Sequence, residues 1–197
     1  MTKKSIFTQI FCFSLLFFAT SCQNNAPSNK GDDSANLRGN FIPEPDLSEL
    51  IIDLTSGMED AFKKGDMEAV ANYFSNGAVI LGPDGYKQEG IEAIRTYWAR
   101  IKNPLDWKLN VTAFSRNEST ILGNEIYRKW ENKPTDWKAA VGEQLKGKNP
   151  IYQMGRSTIQ FKTDDGKIEI NKVDYVLIWV QQEDGEHKIA LHTYAVN

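Results

Sequence analysis

The sequence predicts an α+β domain in which helices pack on one face of a curved, mainly antiparallel sheet. Apolar residues recur at helical spacing in the first part of the domain. From Trp107 onward they alternate with polar residues, which is typical of half-buried strands. Turn signals at residues 164–166 and 183–185 indicate hairpins between the later strands. Helices therefore come first, and a long-stranded meander follows.

Three helices are predicted in the first part. The first begins at Pro45, with Asp46 as its candidate N-cap, and ends at Gly65. Asp66 is positioned to cap a second, shorter helix, and a third starts after Gly90. Because the apolar residues of each segment fall on one side at helical spacing, each helix is expected to lie against the sheet.

Strands are predicted from β-prone or alternating segments and from the turns that bound them. They are expected at residues 78–81, near Tyr86, and at residues 107–113, 121–130, 151–161, 168–180 and 188–196. Residues 131–150 interrupt this pattern as an insertion. Within it, Asp136 is a candidate cap for a short helix that ends near Gly147.

The N-terminus has the pattern of a secretory leader. Lys3 and Lys4 precede an apolar run over residues 6–18, which is too short to span a membrane. Cys12 lies inside this leader, so processing before Cys22 would leave Cys22 as the single cysteine. A single cysteine cannot form an internal disulfide, which calls for another role.

The segment Ala19-Thr20-Ser21-Cys22 resembles the lipobox of bacterial lipoproteins, in which the cysteine is acylated and becomes the first mature residue. The resemblance implies that residues 1–21 are a signal peptide and that lipidated Cys22 anchors the protein in the cell envelope. Gln23 stands where aspartate would resemble an inner-membrane retention signal, so we expect the outer membrane, on its periplasmic side. The same small residues fit an ordinary cleavage site, which leaves plain secretion as the alternative.

Composition divides the remaining chain into a tether and one domain. Residues 22–45 are rich in polar residues, Gly and Pro and poor in large apolar residues, as expected of a flexible tether. Residues 46–197 suffice for one domain with a sizeable core. The whole chain has 23 basic and 26 acidic residues, and loss of Lys3 and Lys4 would make it more acidic. An acidic chain without a basic stripe disfavours nucleic-acid binding.

Short motifs along the domain resemble the nuclear transport factor 2-like superfamily, in its SnoaL-like and domain-of-unknown-function branch. They are Phe62-Lys63-Lys64-Gly65-Asp66, Ala69-Val70, Tyr73-Phe74, Ala78-Val79-Ile80, Gly90-Ile91-Glu92-Ala93-Ile94-Arg95, Tyr175-Val176-Leu177-Ile178-Trp179, Glu183-Asp184-Gly185 and Lys188-Ile189-Ala190. The resemblance implies a cone-shaped fold, with three N-terminal helices on a curved sheet, and a homodimer formed through the sheet. It says little about function, because this scaffold hosts enzymes, carriers and association modules.

Ketosteroid isomerase-like members of the superfamily need a carboxylate base on the first hairpin, and its position falls here on Gly82. The tyrosine of their first helix, which donates to the oxyanion, falls on Met58. Asp174 lies roughly on the strand that bears their second donor. Since a glycine and a methionine replace the base and the first donor, isomerase chemistry of this type is rejected.

SnoaL-like enzymes use a polar residue on the last strand, and His192 occupies the matching position. Alternation places His192 and Tyr194 on one face of that strand, so His192 is the best candidate for a catalytic or ligand-orienting group. Asp174 is either a third polar residue of the same pocket or a partner of a lysine or arginine on a neighbouring strand. Four aromatic residues are candidates to line a cavity or to fill the core: Tyr73, Tyr97, Trp98 and Trp130.

A metal site is not expected, because His187 and His192 are predicted on opposite faces of a strand and no cysteine pair accompanies them. We expect no cofactor.

Three interpretations remain. The first is a membrane-tethered domain that binds a small apolar or amphipathic ligand or a partner protein. The second is an acid–base enzyme of SnoaL-like type that uses His192. The third is a dimerisation or interaction module with a filled cone.

Overall fold

The computed structural model describes residues 45–130 and 137–196. The predicted leader, the lipidation site at Cys22 and nearly all of the predicted tether lie outside the described residues. The described ranges cover the predicted domain except for residues 131–136 of the insertion and the last residue.

The three N-terminal helices form as predicted: α1 (Pro45–Lys63), α2 (Met67–Ala71) and α3 (Ile91–Trp98). Helix α1 begins at Pro45, so Asp46 lies inside its first turn and is not the N-cap that the sequence suggested. Proline suits the first helical position because its missing N–H would have no partner there. Asp66 caps α2, and its carboxylate accepts a hydrogen bond of 2.8 Å from the Ala69 N–H.

Six strands form one sheet in the order β2-β1-β6-β5-β4-β3. They are β1 (Phe74–Leu81), β2 (Lys87–Glu89), β3 (Asn103–Ser115), β4 (Ile151–Lys162), β5 (Ile168–Gln181) and β6 (His187–Val196). Strands β3 to β6 form the predicted antiparallel meander, and β1 joins β6 in parallel. This parallel pairing places the end of β1 beside the end of β6, with Ile80 opposite His192.

The prediction of a strand over residues 121–130 is wrong. This segment forms two short helices, α4 (Ser119–Leu122) and α5 (Glu125–Lys129). The Asn124 side chain accepts the Ile126 N–H at 2.9 Å and caps α5, and the buried residues Tyr127 and Trp130 are three apart, which is a helical spacing. Further on, the helix predicted in the insertion is present as α6 (Trp137–Leu145).

The two faces of the sheet carry separate cores. We call the face covered by α1, α2 and α3 the inner face and the face against α4, α5 and α6 the outer face. Aromatic and aliphatic side chains occur in both cores. The segment between β3 and β4, which includes the described part of the predicted insertion, thus covers part of the sheet face that the expected homodimer would use.

Candidate functional site

The candidate site lies on the inner face, where the ends of β1 and β6 meet. Gly82 directly follows β1, and Tyr194 lies on β6 beside it. A Cβ atom at position 82 would lie 2.7 Å from the Tyr194 hydroxyl oxygen and 2.8 Å from the ring carbon that bears it. The Tyr194 ring therefore packs on Gly82, the position at which the sequence resemblance places the isomerase base.

Three tyrosines meet at this point, and we call Tyr86, Tyr97 and Tyr194 the tyrosine cluster. The side chains of Tyr97 and Tyr194 lie close enough for each to shift the other's pKa, and the rings of Tyr86 and Tyr97 lie 6.1 Å apart between centroids. All three are half-buried. Each comes from a different element: the turn before β2, helix α3 and strand β6. The cluster therefore ties a helix and a hairpin to the last strand.

His192 lies behind the cluster and is 8% exposed. Its ring centroid is 5.6 Å from that of Tyr194 and 6.3 Å from that of Phe74, so His192 and Tyr194 share a face, as the alternation predicted. The Nδ1 atom of His192 is buried and has no hydrogen-bond partner among the described residues. The same is true of the Trp98 indole nitrogen, and Trp98 also packs against Phe74.

Burial decides the charge state of these groups. It raises the pKa of Tyr97 well above its ordinary value and also raises the pKa of Tyr194. It lowers the pKa of His192 to about 4, because a buried imidazolium would lose its hydration. At neutral pH the two phenols and the imidazole are therefore all uncharged. None of the three titrates near neutrality, as an efficient general acid or base would.

The interior behind the site is filled by aromatic rings. Phe62, Trp98 and Trp107 pack edge-on or tilted at centroid distances from 5.0 to 6.4 Å, and each is at most 2% exposed. Met58, at which the sequence resemblance places the isomerase tyrosine, is 1% exposed and belongs to the same core. Drug-sized ligands need pockets of about 300 Å³ or more. These rings instead pack against one another, as side chains do in a protein interior.

Asp174 and Trp130 are not part of this arrangement. Asp174 pairs with Ala195 across the sheet, which places it on the outer face, and its carboxylate lies 3.4 Å from Arg156 Nε on β4. This matches the alternative in which Asp174 pairs with a basic residue on a neighbouring strand. Trp130 packs on Tyr127 in the outer core. The structure therefore does not bring either residue together with His192 and Tyr194.

Tyr73 lies on the inner side but at the other end of β1. A Cβ atom at Gly57 would lie 2.1 Å from the Tyr73 hydroxyl oxygen, so this ring packs directly on α1. Two of the four aromatic residues named from the sequence lie near the site. Tyr97 lies beside Tyr194, and Trp98 packs against Phe74, which in turn lies beside His192. Tyr86 was expected only in a short strand and Phe74 only in a motif, so neither was predicted as a site residue. The turn after Gly82, which returns the chain to the end of β1, is the signal that would have indicated Tyr86.

A small cavity of about 10 Å³ lies on the outer face, with room for about one water molecule. Thr193 lines it, and its buried hydroxyl has no hydrogen-bond partner among the described residues. Within the described ranges no group of three His, Cys, Asp or Glu side chains is placed to hold a metal ion. None of the helices described is both long enough and apolar enough to cross a bilayer.

No protein-family model matches the chain, and no curated protein matches it in sequence. Solved structures do match. A ketosteroid isomerase-like protein from Erwinia carotovora atroseptica has a TM-score of 0.53 at 10% identity, covering 78% of this chain and 97% of its own. ActVI-ORFA from Streptomyces coelicolor also has a TM-score of 0.53 at 10% identity, covering 77% and 98%. Aln2 from a Streptomyces species has a TM-score of 0.51 at 11% identity, covering 78% and 93%.

These similarities define the fold. The chain has the nuclear transport factor 2-like fold, with helices on one face of a curved, six-stranded, mainly antiparallel sheet, as the sequence motifs implied. Identities of 10 to 11% carry fold and not function. The function therefore has to be argued from this chain's own site.

Proposed function

We propose that this protein is a lipid-anchored binding domain of the bacterial envelope that recognises a partner protein with its surface and does not catalyse a reaction. One observation carries this proposal: the Tyr194 ring packs on Gly82, and Tyr97 lies beside it. In an isomerase-like site a carboxylate would project from position 82 into an open cavity. Here an uncharged phenol fills that space.

The charge states argue against an acid–base enzyme as the second interpretation. General acid–base catalysis works best with a group whose pKa lies near the working pH. Burial moves the pKa of His192 down to about 4 and those of Tyr97 and Tyr194 up, away from neutrality on both sides. The aromatic packing of Phe62, Trp98 and Trp107 leaves the surface as the place where recognition would occur.

A small apolar or amphipathic ligand is the second candidate for what the domain binds, and two buried groups favour it. His192 Nδ1 and the Trp98 indole nitrogen have no partners among the described residues, and both side chains flank Phe74. A buried polar group without a partner costs about 1–3 kcal/mol. A ligand that displaced the half-buried Tyr194 ring would gain by bonding to either group.

Native mass spectrometry on residues 23–197, purified gently from a bacterial host, separates these candidates. With a filled cone, we expect the mass of the protein alone, with no adduct after incubation with fatty acids and steroids. A reproducible adduct that disappears in His192→Ala would overturn the filled cone and support the ligand candidate. Tyr86→Phe is the matched control, since it changes the same cluster and leaves His192 in place.

The anchor is tested separately. Cys22 follows a leader and small residues that resemble a lipobox, so we propose that it carries the acyl chains and holds the domain at the outer membrane, on its periplasmic side. Expressed with its leader, the protein is expected to partition into detergent, and Cys22→Ser is expected to move to the aqueous phase. If both forms stay in the aqueous phase, the protein is secreted without a lipid.

A further inference from the structure

The beginning of β5 extends beyond the described part of β6, so one edge of it is unpaired among the described strands. Strand β6 is described as far as Val196, which pairs with Val173, so residues 168–172 pair only with β4 among the described strands. All five of these residues are exposed, including Ile168 at 58% and Ile170 at 53%. Exposed large apolar residues on an unpaired strand edge are a recognised template for pairing with another chain.

The hairpin turn shows which backbone groups face this edge. The Thr163 N–H donates to the Lys167 carbonyl at 2.9 Å, so these two residues form a hydrogen-bonded pair. Pairs alternate along an antiparallel ladder, which makes Ile168, Ile170 and Lys172 members of non-hydrogen-bonded pairs with β4. The N–H and C=O groups of these three residues therefore point away from β4, toward the free side.

We infer that a second copy of this chain pairs with this edge, antiparallel and about a two-fold axis at Ile170. In this register Ile170 faces Ile170 of the second copy, Ile168 faces Lys172, and Glu169 faces Asn171. About six backbone hydrogen bonds can form, two for each outward-facing pair. No like charges stand directly opposite one another, which is what cross-strand pairing requires.

The neighbouring register is less favourable. Centring the axis on Glu169 would place two carboxylates directly opposite each other. The edge is also held in an extended shape in advance, because the β4–β5 ladder continues without a register shift from Ile151 opposite Trp179 to Lys162 opposite Ile168. A pre-formed strand loses less conformational entropy on pairing than a flexible segment.

This arrangement differs from association through the outer face of the sheet, part of which α4, α5 and α6 cover. The inference names a partner for the proposed binding role and so rests on that role, but it does not depend on the cone being filled. Five residues make a small interface, so the dimer is weak in solution. Anchoring both copies to one membrane would raise their effective concentration.

Sedimentation velocity on residues 23–197, at concentrations from about 10 µM to about 1 mM, tests this inference in the range expected for a weak dimer. A concentration-dependent monomer–dimer equilibrium is expected. Ile170→Pro removes a central N–H that faces away from β4, so the hairpin should persist while dimerisation weakens by about tenfold or more. Ile170→Lys, which brings two cations together at the axis, should weaken it similarly.

Ile52→Lys is the matched control, because Ile52 on α1 is as exposed as Ile168 but lies on a helix. It should leave the equilibrium unchanged. Circular dichroism melting of each variant establishes that the domain remains folded. A monomer at every concentration overturns the inference, and so does a dimer that Ile170→Pro and Ile170→Lys leave unchanged. A ligand found in the cone would overturn the filled-cone proposal and leave this inference standing.

Discussion

Gln153 and His192 are both buried on the inner face, yet they differ in whether their polar atoms have hydrogen-bond partners. Gln153 is fully buried, its amide N–H donates to the Tyr175 hydroxyl at 2.9 Å, and its carbonyl oxygen accepts the Trp179 indole N–H at 2.7 Å. His192 is 8% exposed, and its Nδ1 has no partner among the described residues. Depth of burial therefore does not explain the difference.

The neighbours on the sheet explain it. Gln153, Leu177 and His192 lie in one row across β4, β5 and β6, and Ile80 on β1 continues the row. Leu177 and Ile80 thus flank His192 with aliphatic side chains, whereas Gln153 reaches two aromatic residues with polar ends. A satisfied network stabilises a fold, and an unsatisfied buried group costs free energy. The hydrogen bonds of Gln153 therefore stabilise the fold, whereas the unpartnered Nδ1 of His192 does not.

Replacing Gln153 is expected to have the largest effect on stability. Gln153→Leu keeps the volume but leaves the Tyr175 hydroxyl and the Trp179 indole N–H buried without partners. At about 1–3 kcal/mol for each group, the free energy of unfolding should fall by about 4 kcal/mol in urea denaturation. Gln181→Leu is the control, because that glutamine is exposed, and it should change stability by less than about 0.5 kcal/mol. A loss below about 1 kcal/mol for Gln153→Leu would mean that the network contributes little.

Burial of His192 is expected to make the stability of the domain depend on pH. Its pKa is about 4 in the folded protein and about 6.5 when exposed, so the unfolded chain binds a proton first as the pH falls. This contribution to stability is therefore fully present above about pH 6.5 and is lost progressively down to about pH 4. The shift corresponds to about 3 kcal/mol, at about 1.4 kcal/mol for each pH unit.

Urea denaturation of the wild type and of His192→Phe across this range measures the His192 contribution as a difference. The comparison is needed because burial also lowers the pKa of His187, which contributes in the same direction in both proteins. The phenylalanine keeps an aromatic ring between Phe74 and Tyr194 and cannot be protonated. Parallel stability curves for the two proteins would show that His192 is more accessible to water than its position implies.

Sequence periodicity predicted the parts of this fold that depend on local spacing. The stripe of α1, with Ile51, Met58 and Phe62 buried, and the alternation of β6 both follow from side-chain geometry within one element. Residues 121–130 were misassigned as a strand because their β-branched and aromatic residues suit a strand, whereas the Asn124 cap selects a helix.

Which residues meet at the site depends on strand register and on tertiary contacts, and residue spacing within one element does not reveal either. Alternation places His192 beside Tyr194, but the face of Asp174 is set by its register with Ala195, and a shift of one residue would reverse it. The contact between Tyr86 and Tyr97 joins a hairpin to a helix, and it required the tertiary structure. Both cases show why the fold could be predicted more fully than the site.

The smallest predicted effect concerns Tyr194. Tyr194→Phe keeps the ring on Gly82 and removes the hydroxyl group beside Tyr97, so the free energy of unfolding should fall by about 1 kcal/mol at most. Tyr86→Phe, within the same cluster, leaves the Tyr194 hydroxyl in place and should have a smaller effect. If Tyr194→Phe costs no stability while Gln153→Leu costs several kcal/mol, then the tyrosine cluster, like His192, is not there to stabilise the fold. The Tyr97–Tyr194 contact would then be the place where the cone opens most easily, and the ligand candidate would gain support.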